Sequence, residues 1–302
     1  MGDVQLTVLL ATRNRAQILA RVLNGYRCLV APSARWKLVV VDNGSADETQ
    51  KVLSAVKSSL PLEMHTEPRA GKNRALNKGL EALEGRLAII TDDDAIPDPM
   101  FLASWTKYFE SKPECGLFGG SIRPLFEGPP PEWLVSNPHW SAMMFAARDL
   151  PEGPVEPDAI YGPNMAVRTS VFRAGFRFDE TVGPNALDPL YPTGGETEFC
   201  WRVARSGFKC WFASEPLVSH IVQAGHLTLD AMARRAYRSG RARALYASRM
   251  GQTVAPPKFR LRQRLALWSP SAKSRFESRC AYHLWRGFRD ECAANSARQD
   301  RL

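Results

Sequence analysis

No stretch of the 302 residues approaches the roughly 18 consecutive apolar residues of a membrane-spanning helix, so no such helix is expected within them. Met1-Gly2-Asp3-Val4-Gln5 lacks the basic region and cleavage site of a secretory leader, and none is expected there. Cysteine is sparse: Cys28, Cys115, Cys200, Cys210, Cys280 and Cys292 are scattered with no C-x-x-C pair. That spacing argues against a disulfide scaffold or a zinc ribbon and fits reduced thiols in a cytoplasmic protein. Glycine is missing from Ala11-Thr12-Arg13-Asn14-Arg15, where a nucleotidyltransferase would carry its phosphate loop. Acidic residues run out toward the end. From His226 onward, 15 Arg and 2 Lys stand against 3 Asp and 2 Glu, a net of +12, whereas the preceding residues carry −3 of the overall +9. Such asymmetry predicts a near-neutral body, residues 1–225, followed by a basic helical extension, 226–302.

The body alternates strand and helix signals. Leu6–Ala11 and residues 36–41 are continuous apolar runs, the mark of strands buried on both faces in a parallel sheet. Between them Ile18, Leu19, Val22 and Leu23 recur at helical spacing. Ser45-x-x-Glu48 reads as a capping box opening a helix with Val52, Leu53 and Val56 on one face. A short strand near residues 62–65 and a helix over 73–83 lead to the strand Leu87-Ala88-Ile89-Ile90. This order predicts a doubly wound, mostly parallel α/β sheet. Farther on, residues 100–109 read as a helix and 115–122 as a strand. Residues 123–160 gather prolines, including Pro129-Pro130-Pro131, together with Trp133 and Trp140, and read as an ordered insertion. Regular signals return at residues 164–167, in a helix over 196–206 and in two strands over 209–213 and 217–221.

The chemistry concentrates after the fourth strand, at Asp92-Asp93-Asp94. Three carboxylates at the end of a buried strand repel one another and require a cation or several donors. Mg²⁺ or Mn²⁺ suits such hard oxygens and takes its remaining ligands from water and phosphate. Open α/β sheets bind ligands at these carboxyl ends. An acidic turn without function is the alternative for a cluster met alone.

Seven segments in order resemble the family 2 glycosyltransferases of the GT-A fold. They are Ala11-Thr12-Arg13-Asn14-Arg15, Val41-Asp42-Asn43-Gly44-Ser45, Gly71-Lys72-Asn73-Arg74, the aspartate cluster, Gly162-Pro163-Asn164-Met165, Gly195-Glu196-Thr197-Glu198 and Val218-Ser219-His220. The resemblance spans about residues 6–222. It implies a metal-dependent, inverting transfer of a sugar from a nucleotide-diphosphate donor, expected to be a UDP-sugar, to a hydroxyl of a glycan or lipid-linked acceptor. It implies nucleotide contacts from Thr12, Arg13, Asp42, Asn43, Lys72, Arg74, Asp92 and Asp93, and metal ligation by Asp94 and His220. It gives the base role to Glu196, with Glu198 next.

Each assignment has a structural counterpart. Arg13 and Arg15 are otherwise helix-entry arginines in water, and Asp42-Asn43-Gly44-Ser45 is an ordinary strand-to-helix turn. Lys72 and Arg74 are otherwise solvated cations, and His220 a structural histidine. Thr193-x-x-Glu196 is a capping box, and Glu198 can pair with Arg202 one turn on. Trp133, Trp140 and Tyr161 stack on sugar rings or fill the core of the insertion. A nucleotidyltransferase and a nucleic-acid-binding protein using the basic tail are the competing functions. The first lacks its glycine loop, and no groove-reading or base-stacking motif supports the second. The tail's amphipathic faces, with Trp285 and Phe288 on the last helix, either meet an anionic membrane from the cytoplasmic side or dock on protein.

Overall fold

The computed structural model describes residues 6–30, 34–251 and 254–299; Met1–Gln5, on which the leader expectation rests, lie outside them. The chain runs β1 (Leu6–Thr12), α1 (Ala16–Arg27), β2 (Trp36–Asp42), α2 (Thr49–Val56), β3 (Leu62–Thr66), α3 (Lys72–Gly79), β4 (Leu87–Asp92) and β5 (Ala95–Pro97). Next come α4 (Phe101–Ser111), β6 (Cys115–Phe126), α5 (Glu132–Val135), α6 (Pro138–Phe145), β7 (Gly153–Pro154), β8 (Asn164–Arg168) and α7 (Thr169–Arg173). It closes with α8 (Gly195–Arg205), β9 (Lys209–Val222), α9 (Leu229–Arg249), α10 (Leu261–Ala266) and α11 (Ala272–Gln299). No helix among the described residues is long and apolar enough to cross a membrane.

Two compact units emerge. The first comprises the described residues up to Leu125, with Ala146–Thr181 and Gly195–Ile221; the second comprises Phe126–Phe145, Val182–Gly194 and the described residues from Val222 onward. The first holds the sheet, in the order β3-β2-β1-β4-β8-β6-β9-β5, with β7 on β9. β3, β2, β1 and β4 are parallel neighbours, while β8 joins β4 and β6 antiparallel. Every residue of β1 is buried, and its two faces feed two cores. Leu6, Val8 and Leu10 pack with Leu19, Val22 and Leu23 of α1 and Trp105 of α4. Leu9 and Ala11 pack with Leu76 of α3 and Phe199 and Val203 of α8. A strand sandwiched between helix layers has no solvent side, hence its unbroken apolar run.

Two local expectations are corrected. α2 begins at Thr49, not Ser45: Asp47 accepts from the Thr49 amide at 3.1 Å while Ser45 Oγ accepts from the Asn14 amide at 2.9 Å. The serine of the expected capping box is thus drawn into the β1–α1 turn, its glutamate Glu48 pairs with Lys51, and Asp47 accepts from Thr49 at the start of the helix. The last two expected strands are one continuous β9, its edge occupied by β5 and β7.

In the second unit Leu134, Met144, Phe145 and Val222 form one cluster with Met232 and Ala236 of α9 and Phe276 and Cys280 of α11. Trp133 and Trp140 each lie 5.0 Å from the Phe276 ring and fill this core. α9 and α11 run side by side in the same direction, Asp230 meeting Arg279, Tyr237 meeting Asp290, and Arg241 meeting the buried Glu291. Gly240 and Gly287 permit the approach: a methyl on either would strike the backbone of the other helix, at Leu284 and Tyr237 respectively.

Candidate active site

Parallel register brings the site residues to one edge of the first unit. Thr12 is level with Asp42 on β2, and Ala11 with Asp92 on β4. β5 then pairs antiparallel with β9, so that Ala95 faces His220 and the Ile221 amide donates to the Asp94 carbonyl at 2.8 Å. That ladder sets the His220 ring beside the Asp94 carboxylate, Nε2 to Oδ1 3.2 Å.

Each aspartate has its own partner. Asp92 lies 2.6 Å from Lys72 Nζ, which also donates to Glu196 Oε1 at 2.6 Å. Asp93 accepts from the Thr12 hydroxyl at 2.8 Å and from Arg15 at 3.1 Å. Asp94 Oδ2 accepts from the same guanidinium at 2.6 Å. Lys72, Asp92, Asp93, Asp94 and Glu196 all have little exposure, so these charges act at short range in a poorly solvated place. Burial alone would lower the Lys72 ammonium, but its two carboxylates prevail and raise it. Burial would raise Glu196, yet Lys72 holds it below the usual carboxylate range. Burial pushes Asp93 up to about 6 against the pull of Arg15, whereas His220 and Arg15 overcome burial and hold Asp94 low.

Glycines make room for this packing. A methyl on Gly162 would overlap the Glu196 carboxylate, and one on Gly195 would overlap the Asn73 amide. Gly71, at φ 138°, turns the chain into α3 so that Lys72 opens the helix facing Asp92. Asn43 holds that turn: its amide donates to the Glu67 and Arg69 carbonyls at 2.7 and 2.8 Å and accepts from the Gly71 amide at 2.9 Å.

The expected residues therefore divide. Thr12, Lys72, Asp92, Asp93, Asp94, Glu196 and His220 come together. Asp42 lies at the same sheet edge and accepts from the Ser45 amide and from Gln50. Arg13 contributes a buried Nη1 with no hydrogen-bond partner. Asn43 is engaged in building the loop, and Arg74 turns to Glu180 at 3.4 Å. Glu198 is buried in a two-pronged pair with Arg202, at 2.5 and 2.9 Å. Glu196 lies in the first turn of α8 and gives its carboxylate to Lys72 rather than to a helix cap. Arg15 is the residue that sequence reasoning left in water. The signal was Asn14, whose left-handed φ of 51° folds the chain back and whose side-chain oxygen accepts from the Ala46 amide at 2.7 Å.

Four carboxylates, Asp92, Asp93, Asp94 and Glu196, face two permanent cations, Arg15 and Lys72. The cluster is thus two positive charges short of neutrality (4 − 2). Asp94 Oδ1 is buried without a well-aligned hydrogen bond, and His220 adds a nitrogen beside it. This carboxylate–imidazole pair fits a divalent cation. No group of three or more His, Cys, Asp or Glu among the described residues forms a complete cage. An ion here would complete its shell from water and phosphate, as Mg²⁺ does at nucleotide sites.

The sequence profile of Glycosyl transferase family 2 matches residues 7–176, more than half the chain. The chain belongs to this family. It is 28% identical over 241 residues to the pre-mycofactocin glycosyltransferase of Mycobacterium tuberculosis, covering 78% of this chain and 46% of that protein. It spans about half the length of the curated relatives it matches. In fold it resembles the mannosyltransferase PcManGT of Pyrobaculum calidifontis, solved with GDP-Man and Mn²⁺, at TM-score 0.61 and 18% identity over 98% of this chain and 76% of that one. S. aureus TarS 1–349 with UDP-GlcNAc gives TM-score 0.55 and 12% identity over 98% and 92%. The family match ends before Glu196 and His220, so the acidic start of α8 and the end of β9 join the site through geometry.

Proposed function

We propose that this glycosyltransferase carries out an inverting, single-displacement transfer from a nucleoside-diphosphate sugar, with UDP as the nucleotide, to a hydroxyl of a glycan or lipid-linked acceptor. The observation that carries the reading is Lys72 bridging Asp92 and Glu196 beside the Asp94–His220 pair. It supports a place where a diphosphate and an attacking hydroxyl meet. In this reading Thr12, the unpartnered Arg13 and Asp42 receive the nucleoside, with Asn43 shaping their loop. Asp92 takes the ribose hydroxyls, Asp93 holds Arg15 and Thr12 in register, and Lys72 faces the phosphates. Asp94 and His220 hold Mn²⁺ or Mg²⁺, which when bound supplies Lewis-acid stabilisation of the departing diphosphate.

Glu196 is the base. Lys72 keeps it ionised, so it can accept the proton of the hydroxyl as the new glycosidic bond forms and the bond to the diphosphate breaks. Glu198, neutralised and immobilised by Arg202, is left to orient α8. The two structural neighbours solved with GDP-Man and UDP-GlcNAc define the nucleotides to compare. A lipid-linked acceptor would bring the reaction to a membrane face, in keeping with the basic residues after His226.

Calorimetric titration tests the reading. UDP is expected to bind in Mn²⁺ at least about ten-fold more tightly than in EDTA, because the aspartates otherwise repel the diphosphate. Asp94→Ala should lose that enhancement. Undiminished affinity in EDTA would remove the metal from the proposal, and a preference for GDP would reassign the nucleotide.

A further inference from the structure

The long helices α9 and α11 have little apolar surface to offer a partner. Phe276, Cys280 and Phe288 of α11 are buried, and Trp285 lies in a ring cluster with Tyr282 and Phe259. Of the two alternatives for the face bearing Trp285 and Phe288, Phe288, which is 5% exposed, takes the docked one. Among the described residues beyond His226, the large apolar side chains that face outward lie in the segment between α9 and α11. Leu261 is 71% exposed, Leu265 69% and Trp268 89%. They stand at i, i+4 and i+7 along α10 and its continuing turn, where the Leu267 and Trp268 amides donate to Arg264 and Leu265 carbonyls. That spacing puts all three on one face.

The segment is anchored at its base. The Phe259 ring lies 5.4 Å from Tyr282 and 6.2 Å from Trp285, and Pro257 is buried. Arg264 stacks on Phe259 at 5.7 Å, and Gln263 caps the Arg260 amide at 2.7 Å. α10 is therefore held in place from below while its apolar face points away.

Charge identifies the occupant. Residues 254–276 contain Lys258, Arg260, Arg262, Arg264, Lys273 and Arg275 and no acidic residue. Lys258, Arg260, Arg264 and Lys273 are exposed. Two copies meeting through this patch would press like charges together, and an ordinary apolar partner would leave the cations unmatched. An exposed Trp with two Leu, ringed by Lys and Arg, suits the headgroup boundary of an anionic bilayer, where indole rings settle and phosphates answer the cations. We propose that Leu261, Leu265 and Trp268 insert into the headgroup region of an anionic phospholipid surface while Lys258, Arg260, Arg264 and Lys273 pair with lipid phosphates.

The full chain is tested by co-sedimentation with vesicles free of sugar donor and acceptor, so the result is independent of the transfer reaction. Native protein is expected to pellet with phosphatidylcholine vesicles containing about a third phosphatidylglycerol, but not with phosphatidylcholine alone, and to be released by salt. Substituting Leu261→Ser, Leu265→Ser and Trp268→Ser together should weaken partitioning at least about ten-fold with little change in melting temperature, since these side chains are mostly exposed. Arg260→Glu with Arg264→Glu should weaken it at least as much, each lost cation counting for about five-fold. Brominated lipid should quench part of the native tryptophan emission, and Trp268→Phe should remove most of that quenching. The proposal is overturned if the triple-serine variant pellets like the native chain, if neutral and anionic vesicles bind alike, or if the triple substitution abolishes a dimer and leaves vesicle binding intact.

Discussion

Glu196 and Glu198 are two positions apart on α8, about 200° around the helix, and this rotation gives them different tasks. Glu198 turns into the protein and is clamped by Arg202, while Glu196 meets Lys72 beside the aspartates. In our reading Glu196→Gln lowers turnover about 10²-fold or more with little change in donor affinity, because the amide keeps the shape and loses the proton acceptor. Glu198→Gln is expected to act the other way, lowering the melting temperature by leaving Arg202 without its carboxylate while turnover of the folded fraction stays close to native. Steady-state kinetics beside thermal melts of both variants decide the matter, and a slower Glu198→Gln enzyme would exchange the roles. At this scale the aspartates, Lys72 and Glu196 were legible in the sequence as chemical types. Which carboxylate pairs with which cation was not, because Arg15 and Asp93 are far apart along the chain and meet only through the parallel register.

The elements show the same division. Continuous apolar runs announced β1, β2 and β4, since burial on both faces leaves no other pattern. The start of α2 was misread because Ser45 and Glu48 have the right spacing but Ser45 is drawn to Asn14, a competition visible only once β1 and β2 are adjacent. The loop between β3 and α3 was likewise opaque: the pattern gave no sign that Asn43, expected at the nucleotide, also serves as its clasp. Glu67, in that loop, accepts from the Arg69 side chain and amide, and these donors lower its carboxyl from 4.5 to about 2. A lowered native pKa means that the ionised form stabilises the fold; this contribution is complete above about pH 4.5 and fades as the pH falls toward 2. Melting curves of native protein and Glu67→Gln should therefore differ at pH 6 and converge in acid. A gap that widened with acid would contradict the assignment.

For the whole molecule, an expected boundary near residue 225 meets a core shared across it. Leu134, Met144, Phe145 and Val222 form a cluster with Met232, Ala236, Phe276 and Cys280, so the insertion and the tail bury one another's apolar faces. Sequence patterning reveals that each face exists but not that the two match, because the partners are about a hundred residues apart. A chain ending at residue 225 should consequently expose this cluster and aggregate or bind a hydrophobic dye, which size-exclusion chromatography and fluorescence would reveal. A monodisperse truncated chain with native melting would refute it. The shared direction of α9 and α11 has a further consequence. Two helices laid head to tail need only a short bend between them, but two laid head to head oblige the chain to retrace the first before starting the second. With 21 residues in α9 that journey is about 30 Å, and residues 250–271 can reach more than about 70 Å when extended. The surplus length is coiled into α10. The basic, apolar-tipped segment is thus the return leg of a parallel pair, length that an antiparallel arrangement would not require.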